Sequence, residues 1–312
     1  MWQVELEHPR TWCQVVLKLE ALVEKAANLL LERGPVVELD ASKIVVVGDT
    51  HGFPEVSRWA LKLREEEAAE AIVFLGDYVD RGPMGLENLE LLLTELVEKS
   101  DEIVLLRGNH EIPSMNYYYG FYSELLSKKR LKLLEKIEEL YKVLPPVALL
   151  DKIILLHGGI PCRVCRNEPE EPLDLQEIKY SLEKLHGSDE AIDPVEPVLV
   201  HILWNDPRTY IEWFAPSDRG PGIYYYGPRA WQQFLRVNNL DVIVRAHERI
   251  DGVEILQVNR GEPYIPASRE KIPLSNLGQS VITVFSSLYH GQRAAALIVD
   301  LDIEQLEVHI YT

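Results

Sequence analysis

The first half of the chain alternates between short apolar runs and longer amphipathic segments. Apolar residues recur at helical spacing over residues 11–33, and this segment ends at Gly34-Pro35, as is typical of a helix that stops there. Further on, short runs rich in β-branched residues predict buried strands, and segments with helical spacing separate them. The strands are 43–47, 71–75 and 102–106, and the helices are 55–70 and 85–99. Strands and helices that alternate with short connections predict a βαβαβ unit and a largely parallel sheet.

The second half of the chain has a different pattern. A helix over 121–142 closes at Pro145-Pro146, and a strand over 152–156 follows. Beyond it, short apolar runs lie among Pro and Gly signals with few long helices, which predicts a second, more antiparallel sheet packed on the first. These runs are 198–203, 222–226, 242–244, 253–258, 281–285 and 294–299, and residues 306–310 alternate as a half-exposed strand does. Two segments, 163–196 and 259–280, are expected to be long loops.

These patterns predict an α/β fold in which two packed mixed β-sheets, a β-sandwich, are flanked by helices. No segment is rich enough in Gly, Ser or Pro to mark a domain boundary. We therefore expect residues 1–312 to form a single domain, with residues 1–40 as a helical extension at the amino terminus that packs on it.

The composition restricts the classes of partner. The 312 residues include 32 Lys and Arg against 50 Asp and Glu, which gives a formal net charge of −18 without a long basic run. A general nucleic-acid binder presents a basic face, so we expect no nucleic-acid partner, and an anionic substrate has to be attracted by a local cationic site. Only three cysteines occur, residues 1–5 show no signal pattern, and no apolar stretch approaches the ~20 residues of a membrane span. These features predict a cytoplasmic protein without a membrane partner.

Four glycine-containing blocks follow predicted strands, and each carries Asp, His or Asn. They are 48–52 (Gly-Asp-Thr-His-Gly), 76–82 (Gly-Asp-Tyr-Val-Asp-Arg-Gly), 107–111 (Arg-Gly-Asn-His-Glu) and 157–159 (His-Gly-Gly). A later run, 242–246, is followed by His247 in the same way. Ligands in parallel α/β sheets bind beyond the carboxyl ends of the strands, and Asp, His and Asn bind hard or borderline divalent metals. The sequence therefore predicts one metal site assembled from several loops.

Six side chains are the candidate metal ligands. They supply oxygen or nitrogen donors and are Asp49, His51, Asp77, Asn109, His157 and His247. A carboxylate can bridge two metals, so Asp77 is the candidate shared ligand of two ions ~3.5–4 Å apart. A set of His, Asp and Asn suits Mn, Fe or Zn. We therefore expect two divalent metal ions per chain and hydrolysis at a two-metal centre.

In this order and spacing, the four blocks resemble the motifs of the phosphoprotein phosphatases, a family of serine/threonine phosphatases among the calcineurin-like metallophosphoesterases. The resemblance runs from about residue 40 to residue 302. It implies a metallophosphoesterase-like fold and a metal-dependent phosphoprotein phosphatase. Such an enzyme hydrolyses phosphoserine and phosphothreonine monoesters by direct attack of a hydroxide that bridges the two metals. The implied partners are phosphorylated proteins or peptides.

The resemblance also implies the catalytic acid. His110, next to Asn109, would protonate the leaving oxygen, which matters because a serine alkoxide is a poor leaving group. Asp80 would orient His110 and hold it protonated, as a carboxylate beside an imidazole does. Arg107 is expected to be structural and to pair with a buried carboxylate.

The substrate phosphate is expected to contact two arginines, because planar guanidinium groups bind phosphate in a bidentate manner. Arg81 belongs to the second block, and the resemblance adds Arg219, which follows at the usual distance from the element at 203–207. Tyr289 ends a loop that faces the substrate in the family, and Asn109 is expected to contact the phosphate as well as a metal.

Two alternatives remain at this point. A symmetrical dinucleoside-tetraphosphate hydrolase of the same superfamily shares the first three blocks, although Arg219 and Tyr289 favour the phosphatase. A non-catalytic scaffold with this fold belongs to a different class, and it usually lacks a ligand or the acid, whereas all are present here. The pair Cys162 and Cys165 has the spacing of a redox motif or of half a zinc site, but the chain contains no second pair.

Overall fold

Two β-sheets that pack face to face form the centre of the protein. The computed structural model describes residues 9–165, 168–258, 260 and 262–312. Residues 1–8, which include the segment predicted to carry no signal pattern, lie outside the described residues. Each main sheet has six strands, and helices pack on the outer face of each. The predicted α/β class with two mixed sheets flanked by helices is confirmed.

The strands are short. They are β1 Val36–Glu38, β2 Lys43–Val47, β3 Ala71–Phe74, β4 Ile103–Leu105, β5 Val147–Leu150, β6 Ile153–Leu156, β7 Cys162–Cys165, β8 Glu168–Pro172, β9 Asp206–Pro207, β10 Phe214–Pro216, β11 Tyr224–Tyr226, β12 Val242–Arg245, β13 Val253–Gln257, β14 Lys271–Pro273, β15 Ser280–Val284, β16 Ala295–Asp300 and β17 Gln305–Ile310. The first sheet has the order β14-β17-β16-β2-β3-β4, and the second has the order β1-β5-β6-β12-β15-β13.

The predicted parallel unit is present, but the predicted character of the second sheet is wrong. Strands β2, β3 and β4 are parallel neighbours, as expected. The same sheet also contains three antiparallel pairings, because β16 from the end of the chain lies beside β2, β17 pairs with β16, and β14 pairs with β17. The second sheet has three parallel pairings and two antiparallel ones. Periodicity identifies strands but does not show which distant strands become neighbours.

Helices fill the outer layers. They are α1 Pro9–Arg33, α2 Pro54–Glu66, α3 Gly85–Glu98, α4 Pro113–Tyr119, α5 Phe121–Ser127, α6 Leu134–Val143, α7 Leu175–Leu185, α8 Pro197–Trp204 and α9 Pro228–Val237. The helices predicted over 11–33, 55–70 and 85–99 are confirmed. The single helix predicted over 121–142 is instead two helices, α5 and α6, separated by a 3₁₀ turn at Leu131–Leu133. In the described part of the chain, no helix has both the length and the apolar character needed to cross a membrane.

Three other predictions need correction. The apolar run 198–203 is not a strand but most of helix α8, which is apolar on nearly all sides because it is buried in the core. The expected loop 163–196 contains the hairpin β7–β8 and helix α7, whose start carries a capping box made by Asp174 and Glu177. The expected loop 259–280 contains strand β14, which pairs with β17.

Alternate residues of the strands enter different cores, which explains why the strands are apolar throughout. Along β2, Val45 and Val47 face the layer that includes α1 and α3, whereas Ile44 and Val46 face the interior between the two sheets. On the second sheet, the outer face packs against α7, α8 and α9. Because both faces of each sheet are covered, the backbone at the strand ends is held firmly and the following loops have fixed starting points.

Candidate metal and phosphate site

The candidate site lies where five strands from both sheets end. Asp49 follows β2, Asp77 follows β3, and Asn109 follows β4, all in the first sheet. His157 follows β6 and His247 follows β12, which are parallel neighbours in the second sheet. The two groups meet across the sheets, since the backbone N–H of His247 donates to Oδ1 of Asp49 over 2.9 Å. The sequence predicts that these loops lie at one edge of a sheet. In the structure, this edge is formed by both sheets of the sandwich together.

Several residues in the loops at this edge have positive φ angles, which residues other than glycine rarely adopt. Five residues of the site that are not glycine have positive φ angles between 44° and 67°. They are His51, Asp77, Asp80, Arg81 and His247. Such a conformation costs ~1–3 kcal/mol per residue and persists only where the surroundings determine it. Here the backbone N–H groups of Thr50 and His51 both donate to the carbonyl of Asp77, over 3.1 and 2.8 Å.

Two glycines allow the loops after β3 and β4 to touch. Gly76 has a φ of +107°, and a Cβ atom there would overlap the backbone of Gly108. A Cβ atom on Gly108 would in turn overlap the carboxylate of Asp77 and the backbone N–H of that residue. Any larger side chain at either position would push Asp77 away from the site.

The structure brings all six predicted ligands together. Their side chains are buried and are those of Asp49, His51, Asp77, Asn109, His157 and His247. Nε2 of His157 lies 2.9 Å from Oδ1 of Asn109 and 3.2 Å from Nδ1 of His247, and this nitrogen of His247 is 2.7 Å from the same oxygen of Asn109. These three atoms face one another, as ligand atoms around a common metal ion would.

Asp77 lies between two groups of donors. Its Oδ1 is 3.4 Å from Nε2 of His157, and its Oδ2 is 3.6 Å from Nε2 of His51. On the side of His51, Oδ2 of Asp49 is 3.9 Å from the same nitrogen. Because its two oxygens face different histidines, Asp77 has the position that a ligand shared by two cations requires.

Backbone carbonyls select the tautomers of two histidines. Nδ1 of His51 lies 3.0 Å from the carbonyl of Val79, and Nδ1 of His157 lies 2.9 Å from the carbonyl of Leu75. A carbonyl only accepts, so each Nδ1 carries the proton and each Nε2 presents its lone pair to the site. Nε2 of His247 is buried and has no hydrogen-bond partner among the described residues.

The electrostatics of the site favour a cation. Burial raises the pKa of Asp49 to about 7, and burial together with the charge of Asp49 raises the pKa of Asp77 well above its ordinary value. Burial lowers the pKa of His51 to about 3 and the pKa values of His157 and His247 well below the ordinary value. Neutral imidazoles and crowded carboxylates are stabilised when divalent cations supply positive charge among them. The donor set therefore fits the metals that the sequence predicts.

His110 and Asp80 form a pair beside the metal donors. Nδ1 of His110 lies 2.7 Å from Oδ2 of Asp80, and this oxygen also accepts from Asn116 over 3.0 Å. The other oxygen of Asp80 accepts from the backbone N–H of Phe121 over 2.9 Å. Asp80 is thus held on both oxygens, and it fixes the orientation of the His110 ring.

Burial shifts the pKa values of both members of this pair. Burial, and after it the charge of Arg81, lowers the pKa of His110 to about 3, while burial raises the pKa of Asp80 to about 6. In the site as it stands, burial therefore disfavours the charged forms of both side chains. Additional negative charge in the cavity is needed to favour the charged ring.

The candidate phosphate ligands line a cavity of about 290 Å³ above the metal donors. Arg81 stacks on Tyr119, with the guanidinium carbon 3.9 Å from the ring centre, and lies 5.7 Å from the ring centre of Tyr289. Nε of Arg219 donates to Oδ2 of Asp206, a fully buried carboxylate. The face of the Arg81 guanidinium group and the Nε atom of Arg219 are thereby held, and the terminal N–H groups of both side chains could bind a ligand.

Sequence reasoning missed several residues that build the site. Asp206 supports Arg219 and also accepts from Arg245 over 2.7 Å. Glu111 accepts from the backbone N–H groups of Asp77, Tyr78 and Gly108. Glu111 belongs to the block at 107–111 and Asp206 to the element at 203–207, so their place in these segments was the available signal. Four more residues line the cavity without a role assigned from the sequence, namely Met115, Trp204, Arg249 and Phe285.

Arg107 is buried and structural, but its predicted partner is wrong. It donates to the backbone carbonyls of Ala191, Ile192 and Glu111, over 2.6 to 3.1 Å, instead of to a carboxylate. These carbonyls accept from its two terminal nitrogens, whereas the buried Nε has no hydrogen-bond partner among the described residues. The residue therefore ties the third motif to the segment before α8.

The two cysteines at 162 and 165 are not part of the site. Both thiols are free, and burial raises the pKa of Cys162 to about 12. In the described parts of the chain, the groups of side chains suited to a metal are His51 with Asp77 and His110, and Asp77 with His157 and His247. In the first group, Nδ1 of His110 is already engaged by Asp80.

Comparison with known proteins places these observations in a family. The model of the calcineurin-like phosphoesterase family matches residues 42–250, the segment that contains all six donors. A Caenorhabditis elegans protein named "Putative serine/threonine-protein phosphatase" is 31% identical over 249 residues. The match covers 79% of this chain and 62% of the relative, so the chain corresponds to less than two thirds of the length of that protein.

Solved structures show that the fold is shared. A serine/threonine phosphatase from Saccharomyces cerevisiae, described as similar to human phosphatase PP5, superposes with a TM-score of 0.72 at 24% identity, over 95% of this chain and 89% of that one. A cold-active protein-tyrosine phosphatase from Shewanella superposes with a TM-score of 0.53 at 19% identity, over 85% of this chain and 77% of that one. At these identities the likeness concerns the fold alone. The family match and the convergence of the donors agree with the resemblance seen in the motifs, and the chain belongs to the calcineurin-like phosphoesterase family.

Proposed function

We propose that the protein is a metal-dependent phosphoprotein phosphatase that hydrolyses phosphoserine and phosphothreonine monoesters. The observation that carries this proposal is the convergence of six buried metal donors beside the His110–Asp80 pair, under a cavity bordered by Arg81 and Arg219. The relative named as a serine/threonine phosphatase supports the choice of substrate. The likeness in fold does not choose between serine/threonine and tyrosine, because phosphatases of both types share it.

The donors would hold two divalent metal ions, with Asp77 as the shared ligand. One ion would lie with Asp49 and His51, and the other with three donors from the remaining loops, Asn109, His157 and His247. Mn, Fe and Zn fit this mixture of oxygen and nitrogen ligands. When bound, two such ions neutralise phosphoryl oxygens and lower the pKa of a water molecule, so no side chain has to act as the nucleophile.

His110 would donate the proton that the leaving oxygen needs. Asp80 holds Nδ1 of its ring at 2.7 Å, so the proton would leave from Nε2. Although burial lowers the pKa of His110 in the free site, a phosphate dianion in the cavity favours the charged imidazole and raises this pKa. In this proposal, substrate binding itself favours the protonated form of His110.

Arg81 and Arg219 would hold the terminal oxygens of the phosphoryl group. Arg81 is positioned by its contact with Tyr119, and Arg219 is positioned by its hydrogen bond to Asp206. Guanidinium groups that are fixed before the substrate arrives lose little freedom on binding. This arrangement would orient the phosphoryl group with its leaving oxygen toward His110.

The substitution His110→Asn tests the proposal. The enzyme is loaded with Mn²⁺, and phosphate release is measured from a phosphothreonine peptide, a phosphotyrosine peptide and a dinucleoside tetraphosphate. We expect the wild type to prefer the phosphothreonine peptide and the H110N variant to lose about 10²–10⁴-fold in kcat while it keeps its bound metal. A wild type that hydrolyses the dinucleotide but neither peptide contradicts the proposed substrate, and a variant with normal kcat removes His110 from the acid role.

A further inference from the structure

The wall of the cavity carries a third arginine that the proposed function does not use. Arg249 lines the cavity together with Arg81 and Arg219. The three arginines come from different loops, and Arg249 lies two residues after His247, between β12 and β13. The chain has a formal net charge of −18, so three positively charged side chains around one small cavity are unusual for this protein.

The first two arginines are already anchored. Arg81 lies against Tyr119, and Nε of Arg219 is bound by Asp206. A phosphoryl group has three terminal oxygens, and the two metal ions that the donors would hold, together with these two arginines, would provide enough partners for them. Arg249 is therefore available to bind a different negative group.

The carboxylates next to Arg249 are occupied by other arginines. Glu248 accepts from Arg208 over 2.6 Å and from Arg245 over 3.0 Å. Asp251 accepts from the backbone and from the side chain of Arg293, both over 2.9 Å. These bonds hold the loop on both sides of Arg249. Among the described residues, the exposed side chain of Arg249 makes no ion pair of its own.

We infer that Arg249 is a specificity-determining residue that binds a second negative group of the substrate, the carboxylate of an acidic residue beside the phosphorylated one. This inference rests on the proposed phosphoprotein phosphatase function. A guanidinium group binds a carboxylate through two parallel hydrogen bonds. Because the acidic surface of the protein repels an acidic peptide, a cation at the cavity is needed to attract it locally.

The test compares two phosphothreonine peptides that differ only in two positions after the phosphothreonine, which are Glu in one and Gln in the other. The ratio of their kcat/KM values is measured for the Mn²⁺-loaded wild type and for the variants R249Q, R249K and R58Q. Arg58 lies exposed on α2 outside the cavity and provides the matched loss of one charge. A third peptide carries a second phosphothreonine in place of the glutamates.

We expect the wild type to prefer the Glu peptide by about two- to fivefold, which is typical of an exposed charged pair, and to lose this preference at high salt. R249Q should bring the ratio close to one, R249K should keep part of the preference, and R58Q should keep all of it. An R249Q ratio equal to that of the wild type overturns the inference, as does a preference that appears only with the second phosphate. Hydrolysis of neither peptide by the wild type identifies a failure of the proposed function itself.

Discussion

Glu111 offers a sharp test of how the site is held together. Its carboxylate is fully buried and accepts three backbone hydrogen bonds, from Asp77 and Gly108 at 2.8 Å and from Tyr78 at 2.9 Å. Oε2 receives two of them and Oε1 receives the third. The substitution Glu111→Gln keeps the shape of the side chain but leaves only one oxygen to accept, because the amide nitrogen is a donor.

The cost of this substitution follows from counting these bonds. In its better orientation, the amide keeps the bonds from Asp77 and Gly108 and loses the bond from Tyr78, which costs ~1.5–3 kcal/mol for a charged acceptor. The two remaining bonds lose their charge assistance, which roughly halves their strength. Burial raises the pKa of Glu111 to about 7, so removal of the charge also relieves a desolvation cost and offsets part of the loss. We expect the free energy of unfolding to fall by about 2 kcal/mol.

The loss should also reach the metals, because the anchored N–H groups position Asp77. We expect the apparent Kd for Mn²⁺ to rise by about 10- to 100-fold, as for other groups that orient a metal ligand. Urea denaturation of the metal-free protein measures stability, and titration with Mn²⁺ measures affinity.

The matched control is Glu124→Gln. Glu124 accepts from the backbone N–H groups of Gly85 and Leu86, over 3.0 and 2.9 Å, at the start of α3, and from Lys128 over 2.7 Å, and it accepts from none of the six donor residues. E124Q should lower stability and leave the Mn²⁺ affinity unchanged. If E111Q weakens Mn²⁺ binding no more than E124Q does, Glu111 does not position the metal ligands and the reasoning is refuted.

Two further predictions concern the bridging ligand and the free thiols. Asp77→Asn should impair both metals together, because its two oxygens face His51 and His157; metal analysis that finds one site fully occupied in this variant rejects the bridging role. Burial raises the pKa of Cys162 to about 12, so at pH 8 its thiol stays protonated and should react with a thiol reagent only after unfolding, whereas the exposed Cys165 should react in the native protein. The rates of reaction with the reagent are compared in a Cys13→Ser background with and without Cys165→Ser. A fast reaction of Cys162 in the native protein, or a disulfide between Cys162 and Cys165, contradicts this expectation.

The site was largely predictable because its signals are local. Each donor follows an apolar run directly, so the position of Asp49 or His157 relative to its strand is set within a few residues of sequence. Parallel pairing then brings the ends of β2, β3 and β4 to one edge without further information. The sequence alone therefore predicted the donors, while their spacing of 2.7 to 3.9 Å is a property of the folded chain.

What could not be predicted depends on contacts between distant segments. The apolar run that became α8 has no polar face, because its surroundings bury it, and periodicity does not separate such a helix from a buried strand. The partners of Arg107 are carbonyls of a segment expected to be a loop. Arg249 follows the candidate ligand His247 in sequence without any motif, and only the packed loops show that it reaches the cavity. In each case the local pattern is compatible with more than one environment.

The central claim is that one edge of the sandwich holds a pair of metal ions around Asp77. The most direct measurement is an anomalous-scattering map from crystals of the protein grown with Mn²⁺. The account predicts two peaks ~3.5–4 Å apart, one beside Asp49 and His51 and the other beside Asn109, His157 and His247. A single peak, or peaks that do not contact Asp77, would contradict it.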